Sequence, residues 1–334
     1  MFGLGGSFPR FLLLSAFTLI TAAATFSQSS IDDIHIIPRK MSSGAIPATS
    51  HVPSGISVIH SSADLVTVPV TITDNLNRPV TGLDQDNFQL FEDKMPQEIK
   101  NFSKEDTPVS IGLIVDMSGS MANKIDKTQE AIREFCQEAN PQDEFFMITF
   151  ADSPQLAADF TNQPDDIENN FLLTRAKGRT SLLDAVYMGL RKIRDARYPR
   201  RALLILSDGG DNHSRYSERD VKSVVREADV LLYSVGTFDR YVTTEEEMLG
   251  PELLRSITEV TGGKAYTISN IADLPAVTRA IGAQLRHQYV LSYRPEAKPE
   301  KGKWYKINVK LRLPKSLRTL LHVNARAGYY ASTE

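Results

Sequence analysis

The chain has 334 residues, 41% hydrophobic and 24% charged, which is ordinary for a globular protein and long enough for more than one domain. A formal net charge of −3 offers no overall attraction to nucleic acid or to an acidic membrane. The single cysteine, Cys136, excludes an intrachain disulfide.

At the N-terminus, Arg10 precedes the apolar stretch Phe11 to Phe26, rich in Leu, Ala and Thr. It is short for a membrane span and suits the core of a signal peptide. Ala22 and Ala24, or Thr25 and Ser27, offer A-x-A-like cleavage positions, and no cysteine stands nearby for lipid attachment. Residues 1–27 are therefore expected to be a signal peptide that exports the folded part to the periplasm, the cell surface or the medium. The alternative is an uncleaved anchor, the one case in which the membrane is a partner. Residues 28–62, rich in Ser, Pro, Ile and Gly without a period, are expected to be an exposed linker with room for one short strand.

From Asp64 the pattern alternates, with Val66, Val68, Val70 and Ile72 on one face and Thr67, Thr71 and Thr73 on the other. Asp74 to Pro79 has the composition of a turn, and Phe88 to Phe91 that of another strand. Residues 63–106 thus read as β structure. Within 107–288 the rhythm becomes strand and helix. Val109 to Val115 is a buried strand, Lys124 to Glu138 a helix with Cys136 on its apolar face, Glu144 to Phe150 a buried strand and Gln155 to Phe160 an edge strand. Thr180 to Arg197 is a helix, Ala202 to Leu206 a strand, Ser217 to Ala228 a helix and Val230 to Val235 a strand. A helix over Pro251 to Thr261 stops at Gly262-Gly263, followed by a strand over Lys264 to Ile268 and a last helix over Ile271 to Leu285. Such alternation builds a mostly parallel sheet covered on both faces.

Residues 289–331 return to β structure, with strands over Tyr289 to Tyr293, Trp304 to Leu313 and Leu320 to Ala325. The basic run from Lys298 to Arg318 reads as the solvated face of an edge strand. Each β flank is small for a core of its own. The expected fold is therefore α/β, a Rossmann-like doubly wound, mostly parallel sheet inserted in a β-sandwich that both flanks build. Separate β appendages are the alternative.

The chemistry gathers where buried strands end. Asp116-Met117-Ser118-Gly119-Ser120 follows the first of them, Gly178-Arg179-Thr180 lies ahead of a helix, and Ser207-Asp208 closes a third segment. Three loops thus bring Asp116, Ser118, Ser120, Thr180 and Asp208 to one sheet edge, the edge at which open α/β sheets bind ligands. Two carboxylates and three neutral hydroxyls suit a small hard cation, Mg²⁺ first, with Mn²⁺ or Ca²⁺ as alternatives. Five protein positions around an octahedral ion leave a place for an external oxygen, and a carboxylate is the group most attracted to it.

D-x-S-x-S, a distant loop threonine and an aspartate after a later strand resemble the von Willebrand factor type A domain and its metal-ion-dependent adhesion site. All five positions match in order over roughly Thr107 to Gln288. The flanking stretches Val68 to Asp74, Pro79 to Leu83, Phe88 to Asp93 and Arg326 to Tyr330 resemble secreted bacterial relatives of acidobacterial type. The resemblance implies that Thr180 and Asp208 shift between direct and water-mediated contact as a ligand arrives. The partner is then an extracytoplasmic protein with an exposed Asp or Glu, without nucleic acid. Asp211, Asn212 and His213 are candidates for the ligand-binding rim, while Asp184 reads equally as helix-capping chemistry.

An enzyme finds less support. Ser118 stands where an aspartate-based phosphatase wants its second aspartate, no G-x-S-x-G elbow occurs, and His213 is a lone candidate base. The expected function is therefore non-enzymatic recognition. A structural or envelope-assembly protein whose metal only staples loops is the alternative, with a metal-dependent hydrolase behind it.

Overall fold

In the computed structural model, residues 65–104, 106–208, 210–238, 245–296 and 299–331 are described, with the backbone alone for 245–247. The signal peptide and linker expected over 1–62, and the side chains of the acidic run Glu245-Glu246-Glu247, lie outside them. Alternating apolar residues make β1 (Val66–Asp74), in which Val68, Val70 and Ile72 are fully buried. The N-terminal flank continues through β2 (Phe88–Glu92), β3 (Met95–Gln97) and β4 (Ile99–Ser103).

The chain then enters β5 (Ser110–Asp116), α1 (Ile125–Gln137), β6 (Glu144–Phe150), β7 (Pro154–Thr161) and α2 (Pro164–Leu172). It proceeds through α3 (Leu182–Lys192), β8 (Arg201–Ser207), α4 (Glu218–Glu227), β9 (Leu231–Thr237), α5 (Glu245–Thr258), β10 (Ala265–Ile268) and α6 (Leu274–Arg286). The C-terminal flank holds β11 (Tyr289–Tyr293), β12 (Trp304–Leu311), the one-turn α7 (Lys315–Arg318), β13 (Leu321–Ala325) and β14 (Gly328–Tyr330).

The two flanks interleave. One sheet has the order β13-β1-β11-β4 and the other β14-β12-β2-β3. Strand β1 lies between two C-terminal strands, with Val68 opposite Leu291 and Ile72 opposite Val323, while β2 sets Leu90 against Val309. Val68, Val70, Ile72, Leu90, Leu291, Ile307 and Val309 fill one shared core. This is the shared sandwich, because neither flank carries enough strands to cover its own apolar face. Two details differ from the sequence reading. Strand β12 is interior, flanked by β14 and β2, so Lys306 and Lys310 project from the outer face of the sheet and not from an edge. Thr71 and Thr73, expected on the solvent side, are buried as well. That side of β1 meets the α/β domain, where Gln288 Nε2 donates to Thr71 Oγ1 at 3.3 Å.

One carboxylate joins the flanks inside the sandwich. Glu92 of β2, 9% exposed, accepts hydrogen bonds from the hydroxyls of Tyr293 on β11 and, at 3.0 Å, Tyr329 on β14. Burial together with the Glu92 hydrogen bond and charge raises the pKa of both phenols, so they stay protonated as donors. Glu92→Ala leaves two phenols without an acceptor and is expected to destabilise the protein by about 2–4 kcal/mol in urea unfolding. A loss below ~0.5 kcal/mol would show that Glu92 does not couple the flanks.

The α/β sheet has the order β10-β9-β8-β5-β6-β7, parallel except for the edge strand β7. Helices α1, α2 and α6 pack one face and α3, α4 and α5 the other, giving two cores on either side of one sheet. From β5 the chain moves outward to β6, and from β8 it moves outward the opposite way to β9. The crevice between the C-terminal ends of β5 and β8 is therefore a topological switch point. Cys136 is buried among the apolar residues of α1, and burial pushes its thiol up to about 12, which keeps it inert at neutral pH.

Helix ends depart from the sequence pattern for local reasons. Helix α2 was not legible, because only Ile167 and Phe171 of its nine residues face the core. Helix α3 starts at Leu182, since Thr180 and Ser181 belong to the loop before it. Helix α5 begins upstream of Pro251, where Met248 and Leu249 are exposed and leave no apolar stripe to read. It ends at Thr258 and runs into a 3-10 turn over Glu259–Thr261, which stops at Gly262 in the left-handed region (φ +87°).

Candidate metal centre

Asp116 is the last residue of β5, and its side chain is fully buried. Its Oδ1 accepts the Ser118 backbone N–H at 2.8 Å, and its Oδ2 accepts the Ser207 hydroxyl at 2.6 Å. The first hydrogen bond turns the chain sharply after the strand, and the second ties β5 to the end of β8. The turn brings the Ser118 and Ser120 hydroxyl oxygens to 3.0 Å from each other.

Backbone hydrogen bonds join the three loops. Gly119 N donates to Gly178 O at 3.0 Å and Lys177 N to Met117 O at 2.8 Å, linking the first loop to the second. Gly178 has a φ of +101°, a backbone conformation that strains any residue with a side chain. The second and third loops meet at Thr180, whose carbonyl accepts from Asn212 N and His213 N at 3.1 and 3.0 Å, and whose N–H donates to Asn212 Oδ1 at 3.1 Å. Asp116, Ser118, Thr180 and Asp208 are buried, and Ser120 alone of the five candidates is exposed.

Burial and the field of Asp208 raise the Asp116 carboxyl to about 6, against the opposing hydrogen bonds from Ser118 and Ser207. Asp116 and Asp208, with serine and threonine hydroxyls in the same three loops, are a donor set whose chemistry would suit a divalent cation. Among the described residues no three or more His, Cys, Asp or Glu gather as a group that could hold a metal ion.

Lys124 was not singled out by sequence reasoning. It stands at the start of α1, 8% exposed, with Nζ 3.5 Å from Asp208 Oδ2. No linear motif announces it, since its nearness to Asp208 depends on how the first loop folds back onto the helix. Ser207 was missed as well, although it directly precedes Asp208.

The three rim candidates have identifiable work in shaping the loops. Asp211 accepts Leu183 N at 2.8 Å, in the first turn of α3, and the Ser214 hydroxyl at 2.6 Å. Asn212 holds Thr180, and His213 Nε2 lies 2.8 Å from Arg179 Nη2. Asp184, read as a cap for its own helix, instead accepts Arg215 N and Tyr216 N at 2.8 and 3.0 Å and holds the loop before α4.

The raised pKa of Asp116 has a definite sign. Between the ordinary carboxylate value of 3.8 and about 6 the folded protein holds a proton that the unfolded chain has released. Stability in EDTA is therefore expected to fall as pH rises through that window, by about 3 kcal/mol in total for this group, and to change no further from it above. Urea titrations at pH 4.5 and 7.5 on the wild type and Asp116→Asn check this, and an identical pH dependence in both would contradict it.

Residues 111–210 match the family model of the von Willebrand factor type A domain. No curated protein matches the chain. Among solved structures, the chain is similar to an aerotolerance-related membrane protein from Bacteroides fragilis, with 16% identity over 53% of this chain and 98% of that one and a TM-score of 0.45. A von Willebrand factor type A protein from Catenulispora acidiphila is 14% identical over 81% of this chain and 64% of that one, with a TM-score of 0.48. Proximal thread matrix protein 1 from the mussel byssus, solved with a zinc-occupied MIDAS motif, is 16% identical over 58% and 49%, with a TM-score of 0.45. No helix among the described residues is long and apolar enough to cross a membrane.

Proposed function

We propose that the protein binds a divalent cation, Mg²⁺ first, through Asp116, Ser118, Ser120, Thr180 and Asp208, and uses it to recognise another protein outside the cytoplasm. The observation that carries this reading is that two buried carboxylates, Asp116 and Asp208, lie at the β5/β8 switch point beside the Ser118–Ser120 turn, to which Gly178 of the Thr180 loop is hydrogen-bonded. When bound, the cation supplies an electrophilic centre for an oxygen donor. Around that centre Ser207 and Ser118 orient Asp116, and Asn212 holds the Thr180 backbone. An Asp or Glu of the partner completes the coordination.

The test is binding of an envelope extract to the immobilised protein in Mg²⁺ and in EDTA, with identified partners then measured individually. A partner is expected whose affinity drops by about 2–5 kcal/mol when its contacting acid is changed to Ala, and which does not bind in EDTA. Metal-dependent hydrolysis of a phosphoester or peptide, abolished by Asp116→Ala, would replace this reading with an enzyme.

A further inference from the structure

A cavity of about 340 Å³ lies at the opposite end of the α/β sheet from the candidate metal centre, where the sandwich meets the N-terminal ends of β8 and β9. Both chain crossings between the two bodies line it, through Thr107 and Val109 on the way in and Leu285 and Gln288 on the way out. Its walls are largely apolar, with Val230 and Val290 among them, yet Arg200 and Arg201 also face it.

Their guanidinium groups are unusual in their partners. Arg200 donates to the Thr107 carbonyl, to Leu285 O at 2.6 Å and to Gln288 Oε1 at 3.2 Å, all of them neutral oxygens. Burial lowers its pKa against the more distant pull of Asp106 and Asp143. Both acids are committed elsewhere, Asp106 to Arg286 and Asp143 to the backbone N–H groups of Val109 and Asn140. Arg201 Nε is buried without a hydrogen-bond partner. Asp229, the acid that lines the cavity, pairs with Arg326 at 2.8 Å. Two adjacent guanidiniums thus lack a direct carboxylate partner beside an apolar space of ligand size.

We propose that this cavity binds a small organic anion with an apolar body, its acid group on Arg201 and its hydrocarbon against Val230 and Val290. An anion supplies the carboxylate partner that the Arg201 guanidinium lacks, and the hydrocarbon removes apolar wall from water. A plain inorganic anion does the first only, and a neutral alcohol chiefly the second. Because both chain crossings form the walls, an occupant braces the junction between sandwich and α/β domain.

The experiment uses decanoate as the probe, with acetate and 1-decanol as controls, read by calorimetry and by thermal unfolding. Decanoate is expected to bind with one-to-one stoichiometry and to raise Tm, while neither control does so at equal concentration. Arg201→Gln is expected to weaken decanoate at least tenfold, and Val290→Phe, whose ring enters the cavity, to abolish binding. Asp116→Ala is expected to leave it unchanged, which separates this site from the metal centre. Absence of saturable decanoate binding, equal binding of 1-decanol, or undiminished binding in Arg201→Gln would each overturn the proposal.

Discussion

Asp116→Asn is expected to weaken Mg²⁺ or Mn²⁺ binding at least a hundredfold in calorimetry, about 3 kcal/mol, while raising stability in EDTA at pH 7.5. The two effects have one cause. The Asp116 carboxylate is buried beside Asp208 and disfavoured in its charged form, so its neutral isostere folds without that penalty and offers the cation one charge fewer. The amide oxygen of Asn can still accept the Ser118 N–H, and Asp116→Ala is expected to abolish binding without that compensation. Lys124→Met gives the opposite pattern. Removing an ammonium 3.5 Å from Asp208 is expected to tighten Mg²⁺ binding by about tenfold and to cost about 3 kcal/mol of stability in EDTA, because Asp208 loses its buried partner. Unchanged metal binding in Asp116→Asn, in a protein that still folds, would sink the metal assignment. Weaker binding in Lys124→Met would remove Lys124 as a competing charge.

The second large effect concerns assembly. A fragment of residues 65–104 is expected to be unfolded in isolation, whereas residues 107–288 are expected to unfold cooperatively on their own. In the intact chain, β1 pairs with β11 and β13, and β4 pairs with β11, so the fragment retains only the short β2–β3 ladder. The N-terminal face of Val68, Val70 and Ile72 then has nothing to pack against, and a lone hairpin is marginal in water. The α/β segment closes both of its cores with its own helices. Circular dichroism with urea titration decides the matter. Cooperative unfolding of the 65–104 fragment would show that the N-terminal flank is a domain by itself.

Much of the architecture is legible in the chain because the relevant signals are periodic and local. The apolar runs of β5, β6 and β8 read as strands buried on both faces, because they are short and bounded by turn signals, and alternation in β1 and β12 marks a half-covered sheet. The N-terminal box of α4 is local too, with Ser217 Oγ accepting Asp220 N at 3.3 Å. Elements without a core-facing pattern escape this reading. Strand β3, with Met95 58% exposed, and helix α2, with only Ile167 and Phe171 facing the core, carry no apolar period of their own, although β3 pairs with the neighbouring β2.

The candidate site divides along the same line. Asp116, Ser118, Ser120 and Asp208 were recognisable in the sequence because strand ends are readable and each sits at or just beyond one, and Thr180 because it stands in the loop just ahead of α3. Their surroundings were decided by tertiary structure. Ser207 reaches Asp116 across 91 positions, Arg179 faces His213 across 34, and Lys124 lies against Asp208 because the first loop folds back on α1. Sequence determines which donors stand at the end of each strand, since that depends on a few consecutive residues. The fold alone decides which charges meet there, and so sets the Asp116 carboxyl near 6, because electrostatic fields act through space and burial is a property of the whole packing.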